Sequence, residues 1–228
     1  MATLRERVLA LGGKLNDQLL VIITILLSVL LFLVAPLESN GVISGSTFGF
    51  IFGAALIPAA FLVYREQLAV GAIGTAIVLI IVASELEFRR FSLLDQYLDA
   101  TAWLIAGLAL SSVVARAVFA PGRVTHHRIV GGILLFLSIG LVFVAIFSFL
   151  LLLAPNAFTN IEARRGDFPV GSLVYFSFVT LTTMGYGDIV PVHPYARGLV
   201  NIEAIIGQLY PATLLARLVT LELASHAE

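Results

Sequence analysis

The sequence predicts an all-α membrane protein, with six long apolar helices crossing a bilayer and a short helix dipping between the last two without crossing. Three observations carry that prediction. Of 228 residues, 60% are hydrophobic and 12% charged, with a mean hydropathy of +1.05; a soluble domain is nearer half apolar and a quarter charged. The apolar excess is gathered in long blocks rather than spread along the chain. One further segment, just before the last block, is too short to cross and too apolar for a surface loop.

The blocks fall at 19–35, 46–63, 68–84, 98–119, 129–153 and 196–220, each near or above the roughly 17–25 residues that span a hydrocarbon core. Between them lie Pro36 to Gly41, Tyr64 to Gln67, Glu85 to Asp99, Pro121–Gly122–Arg123 and Pro155 to Pro169, all rich in turn formers or charge. The first block follows Arg5, Arg7 and Lys14, as a signal peptide would. Its core exceeds the usual stretch of about 7–15 residues and no A-x-A site follows, so it is expected to be a retained span.

Six crossings place both termini on one side. Arg5, Arg7, Lys14, Arg65, Arg116, Arg123, Arg128 and Arg217 lie on that side, against Arg89, Arg90, Arg164, Arg165 and Arg197 on the other. The bias favours cytoplasmic termini. The formal net charge of −1 gives no reason to expect a nucleic-acid partner. The lack of cysteine excludes disulfides and thiolate metal sites. The expected organisation is a cytoplasmic segment at 1–18, a four-helix transmembrane bundle at 19–119, a linker at 120–128, a final unit at 129–220 and a cytoplasmic tail at 221–228. The small size and short tails suit a bacterial inner membrane.

Within the final unit, Pro169 to Thr182 reads as a short helix, with Asp167 placed as its N-cap and Pro169 in its first turn. Its 14 positions reach about 20 Å, too little to cross. Thr183 to Asp188 comes next, with glycines at the alternate positions Gly185 and Gly187, and then Pro191. Non-helical backbone at membrane depth survives only when buried in protein or lining a water-filled cavity. A half-helix and a glycine-spaced strand therefore imply a re-entrant loop.

The run Thr-Leu-Thr-Thr-Met-Gly-Tyr-Gly-Asp at 180–188 resembles the pore signature of the potassium channel family, T-x-x-T-V-G-Y-G-D. The resemblance implies that the short helix is a pore helix. The backbone carbonyls of Thr183, Met184, Gly185 and Tyr186, with the Thr183 hydroxyl, would replace the hydration shell of K⁺, the permeant ion. Thr182, Gly187 and Asp188 would support this filter, the glycines by permitting its backbone geometry. Tyr186 would point into an aromatic cuff to which Tyr175 and Phe176 contribute. Met184 departs from the commoner valine, and Val179 stands where some members carry a glutamate that contacts the aspartate. One chain supplies one strand of a four-fold ring, so the partners implied are three identical subunits, in membrane lipid.

The sixth block would line the pore. Gly207 lies 19 residues after Asp188, the spacing at which family members commonly place a hinge glycine, and Pro211 one turn on favours a kink. A packing role for the glycine is the competing explanation. Gln208, Pro211 and Leu215 share a face and are the candidate lining residues. Glu203 is an ionisable side chain inside a span, costing about 2.5–3.5 kcal/mol unless partnered. Asn201, Ser177 and Thr182 are its candidate partners, and its candidate roles are a cation-attracting charge, a proton-sensitive latch or a neutral brace.

The fourth block contains one basic residue, Arg116, near its end, where a voltage sensor needs several. The first four helices are therefore not a conventional sensor, and they are expected to pack beside their own subunit's pore helices. The leading function is passive K⁺ conduction. A weakly selective cation channel is the alternative, and after it a K⁺-transport subunit needing a soluble partner; such transporters carry four degenerate pore repeats where this chain has one. No metal-binding cluster, phosphate loop or activated nucleophile points to an enzyme, and no soluble regulator or gating stimulus is named by the sequence.

Overall fold

The computed structural model describes residues 18–64, 66–88, 93–120, 125–161 and 170–226. The expected N-cap Asp167 and first-turn Pro169, the 121–123 link, and the basic residues at 5, 7, 14, 65, 89, 90, 123, 164 and 165 lie outside these described residues. In chain order the elements are α1 Gln18–Ser39, α2 Gly45–Leu62, α3 Gln67–Phe88, α4 Leu94–Phe119, α5 His126–Leu153, β1 Phe158–Thr159, α6 Val170–Leu181, β2 Val190–Pro191 and α7 Pro194–His226.

Six of these, α1 to α5 and α7, are long and apolar enough to cross a membrane, and α6 is not. The protein is thus a helical membrane protein. Helix α1 continues past Pro36, which the sequence marks as a boundary, and ends at Ser39. Proline lacks the N–H that a helix needs at that position, and the backbone meets the defect with a π turn at Leu30–Val34, directly upstream. The extra turn puts Glu38 on the helix. Ser44 caps α2 by accepting the Thr47 N–H at 3.2 Å. His193 serves α7 in the same way, its Nδ1 accepting the Tyr195 N–H at 3.3 Å, with Pro194 at the first helical position.

Helices α2, α3, α4 and α5 pack in succession, each against the next. Trp103 of α4 anchors the row, its ring 5.4 Å from that of Phe48 and 5.0 Å from that of Phe52. Helix α4 packs most extensively on α5, and the last turn of α1 leaves α2 to pack on α6. The cause is local: Gly171 of α6 has no side chain, so the Ala35 carbonyl and Ser39 Oγ fit into its place. The Glu85-to-Asp99 stretch, expected as one amphipathic segment, is divided between the ends of α3 and α4, and Asp95 is buried.

Burial is uneven. Helix α5 is the centre of the structure, with 61% of its apolar window buried, while the corresponding window of α7 is only 11% buried. An apolar helix left this bare in a single chain has further surface to cover.

Candidate functional site

Helix α6 is wedged between α5, α7 and the end of α1. Its 12 residues make a rod of about 18 Å, short of the roughly 30 Å hydrocarbon core. Close approach is set by glycines. A Cβ on Gly140 of α5 would lie 2.5 Å from the Phe178 ring, so that ring occupies the missing side chain's space. On the other flank, a Cβ on Gly207 of α7 would overlap the Leu181 carbonyl. Backbone meets backbone there. Gly207 thus has a packing role at the foot of α6, and α7 runs unbroken through both Gly207 and Pro211.

The end of α6 sets the path of the next residues. The Met184 N–H reaches back to the Val179 carbonyl at 2.9 Å and the Thr183 N–H to that of Thr180 at 2.9 Å. With Thr183 left-handed at φ +57°, this is a Schellman cap, ordinarily formed by glycine. The left-handed state costs a non-glycine residue roughly 1–2 kcal/mol. Beyond it, Gly185 and Gly187 are also left-handed, at φ +57° and +78°, while Met184 and Tyr186 are not. The handedness therefore alternates residue by residue from 183 to 187. In an ordinary strand every residue has the same twist and successive carbonyls point to opposite sides. Alternating handedness turns every second peptide plane over and brings the carbonyls to one side. Residues 182–188 are all exposed in the single chain.

The far end of the strand is tied down. The Asn160 side chain donates to the Asp188 backbone carbonyl at 2.6 Å, β1 pairs antiparallel with β2 through Phe158↔Pro191 and Thr159↔Val190, and the Val192 N–H bonds the Ala157 carbonyl at 2.9 Å. The Asp188 carboxylate accepts a hydrogen bond from the Tyr175 hydroxyl, which holds it below its ordinary pKa of 3.8. Tyr175, and not Val179, is the residue of α6 that interacts with the Asp188 carboxylate. Its ring lies parallel to that of Tyr186, centroids 6.4 Å apart. Phe176, expected beside it, instead turns inward against Phe147 and Phe158, at 5.3 and 5.0 Å. The i, i+1 offset on a helix sends the two rings to different faces.

The remaining predicted residues separate. Gln208, Pro211 and Leu215 are exposed on α7. Thr182 turns its hydroxyl back to the Phe178 carbonyl at 2.6 Å. Glu203 is fully buried, and its partner is Ser177 of the same chain, at 2.6 Å; Asn201 is exposed. Arg116 pairs with Glu66 at 3.3 Å on the surface.

Residues 135–222, covering most of α5, all of α6 and the strand, and nearly all of α7, match the family model described as ion channel. The match covers this segment, which is less than half of the chain. No curated protein and no solved structure gives a significant match to the chain. The match supports a membrane conduit over an enzyme, and the matched segment coincides with the elements that fix α6 and the alternating strand. Sequence reasoning missed Tyr175 as the partner of Asp188, and Gly140 and Gly171 as contact points. The small residues themselves were the available signal, since helices approach in membranes where side chains are smallest.

Proposed function

We propose that the channel is potassium-selective, that residues 183–186 are one quarter of its filter, and that four identical chains surround the ion path in lipid. The observation that carries this reading is the alternation of backbone handedness from Thr183 to Gly187. It offers a row of carbonyl oxygens on one side, and oxygen rings of that kind replace the hydration shell of K⁺. Exposure of the whole strand, and of most of α7, supports completion by further copies of the chain. Helix α6 ends at the base of the strand, so the negative end of its dipole favours a cation there. Gln208, Pro211 and Leu215 would line the path below, with a gate near Gly207 and Pro211, and both termini would be cytoplasmic in a bacterial inner membrane.

A weakly selective cation channel is the second reading. It is favoured by Met184, 57% exposed, which borders an apolar recess with Phe32, Phe178 and Val179 instead of dense packing. Reversal potentials of purified protein in bilayers with K⁺ on one side and Na⁺ on the other separate the two. A reversal near the K⁺ equilibrium potential is expected; one near zero selects the weaker filter. A purified particle of one subunit's mass overturns both.

A further inference from the structure

Among the described residues Glu203 makes no hydrogen bond to the strand and it is 0% exposed, yet it stands where three helices meet. Its Oε1 is 2.6 Å from the Ser177 hydroxyl on α6, and that same hydroxyl oxygen is 3.1 Å from the Gly140 carbonyl on α5. Its Oε2 has no hydrogen-bond partner.

The hydrogens in this cluster can be counted. A carbonyl only accepts, a carboxylate only accepts, and a serine hydroxyl has a single proton to give. With Glu203 ionised, the Gly140 carbonyl and the carboxylate compete for that one proton, and a charge sits in the interior facing no cation. With Glu203 protonated, the acid donates to Ser177 and Ser177 donates to Gly140, leaving only one neutral oxygen unpartnered. The charged arrangement forfeits several kcal/mol of solvation against at most one hydrogen bond, from Ser177, whose proton is then lost to Gly140; an unpaired neutral oxygen costs about 1–3 kcal/mol.

Among the described residues, no neighbouring charge alters the count. Helix α6 carries no charged side chain. Those of α5 are His126, His127 and Arg128, in its first turn, about 18 Å along the helix from Gly140. On α7, Arg197 donates to the Pro191 carbonyl at 3.2 Å and the Tyr210 hydroxyl to the Gly132 carbonyl at 2.7 Å.

We infer that Glu203 is held as a neutral acid whose proton joins α7 to α6 and, through Ser177, to α5, making it a positioning residue for the strand that α6 carries. Loss of that proton breaks the chain of hydrogen bonds and places a bare charge behind α6. Alkaline conditions therefore release the strand and reduce conduction. The functional consequence rests on the channel reading; the protonation state does not.

Infrared spectroscopy of the reconstituted protein tests the protonation state, and bilayer recording across neutral to alkaline pH tests its consequence. The wild type is expected to show the carbonyl band of a buried protonated acid at neutral pH, which shifts in Ser177→Ala and is absent from Glu203→Gln. Its current is expected to lose most of its amplitude in alkali and to recover on return. Glu203→Gln, whose amide still donates to Ser177, is expected to conduct at neutral pH without that alkaline loss. A wild type lacking the acid band overturns the inference even if no variant folds. So does a wild-type current indifferent to alkali, or an alkaline loss equal in wild type and Glu203→Gln. A protein that shows the band and passes no ions instead strikes at the channel reading.

Discussion

Substituting Gly207 by alanine separates a packing glycine from a hinge glycine. The added Cβ would overlap the Leu181 carbonyl oxygen, and it would lie 2.6 Å from the carbonyl carbon and 2.9 Å from the Cα of Leu181. All three are backbone atoms in the last turn of α6, so no side chain can swing aside. Restoring ordinary contact with the carbonyl oxygen requires α6 and α7 to part by more than about 1 Å, in an interior packed as densely as an organic crystal. Forced overpacking of this kind costs about 1–3 kcal/mol, and rigid backbone on both sides puts Gly207→Ala at the upper end or beyond. The control is Gly74→Ala in α3, whose Cβ would meet nothing within 4 Å. It is expected to be neutral or to gain up to about 1 kcal/mol from helix propensity. Thermal unfolding midpoints in detergent, read beside bilayer currents, provide the assay. Gly207→Ala is expected to lower the midpoint by several degrees and to reduce conduction with it, since the strand begins two residues beyond Leu181. An unchanged midpoint with altered open probability would refute the packing argument and restore the hinge.

The same geometry sets three more outcomes. Gly185→Ala meets no atom within 4 Å of its Cβ but must hold φ at +57°. Its cost of roughly 1–2 kcal/mol per subunit is pure backbone strain, and reversal potentials should show K⁺ selectivity lost while the protein remains folded. Tyr175→Phe removes the hydrogen bond that keeps the Asp188 carboxyl below its ordinary value. That bond is made to the ionised form, so its contribution is intact above the ordinary carboxylate pKa and is lost as acid takes the pH down through the lowered one. Without the tyrosine hydroxyl, the onset of acid inhibition in a pH series should move to higher pH. Arg116→Gln breaks only an exposed ion pair with Glu66, at 3.3 Å. Stability should change by less than about 1 kcal/mol, and a voltage ramp should give the same response as the wild type.

How far the sequence can be read depends on which physical property marks each feature. Hydropathy marks a crossing helix regardless of its neighbours, so all six long helices lie near their expected positions; the differences are at ends such as Ser39, where a π turn carries the chain past Pro36. The strand is legible because its conformation is encoded locally: left-handed residues favour glycine, and two of the three such positions between 183 and 187 hold it. Packing partners have no comparable mark. A helix apolar on every side presents no polar face from which to infer what it touches, and that is the condition of α1, α5 and α6. Contacts in lipid are selected instead by size, because close approach and not water exclusion holds such helices together. Gly140, Gly171 and Gly207 are three places where a missing side chain admits close contact of α6 with α5, α1 and α7. Of these only Gly207 stands out in the sequence, and its spacing from the strand suggests a hinge before it suggests a contact. Glu203 shows the same limit from the polar side. Its presence within a span announces that a partner must exist, but Ser177 is 26 residues away, and only the approach that Gly140 and Gly207 permit brings the two together. In this protein the small residues decide which helices meet α6, and Glu203, buried where they meet, then joins them.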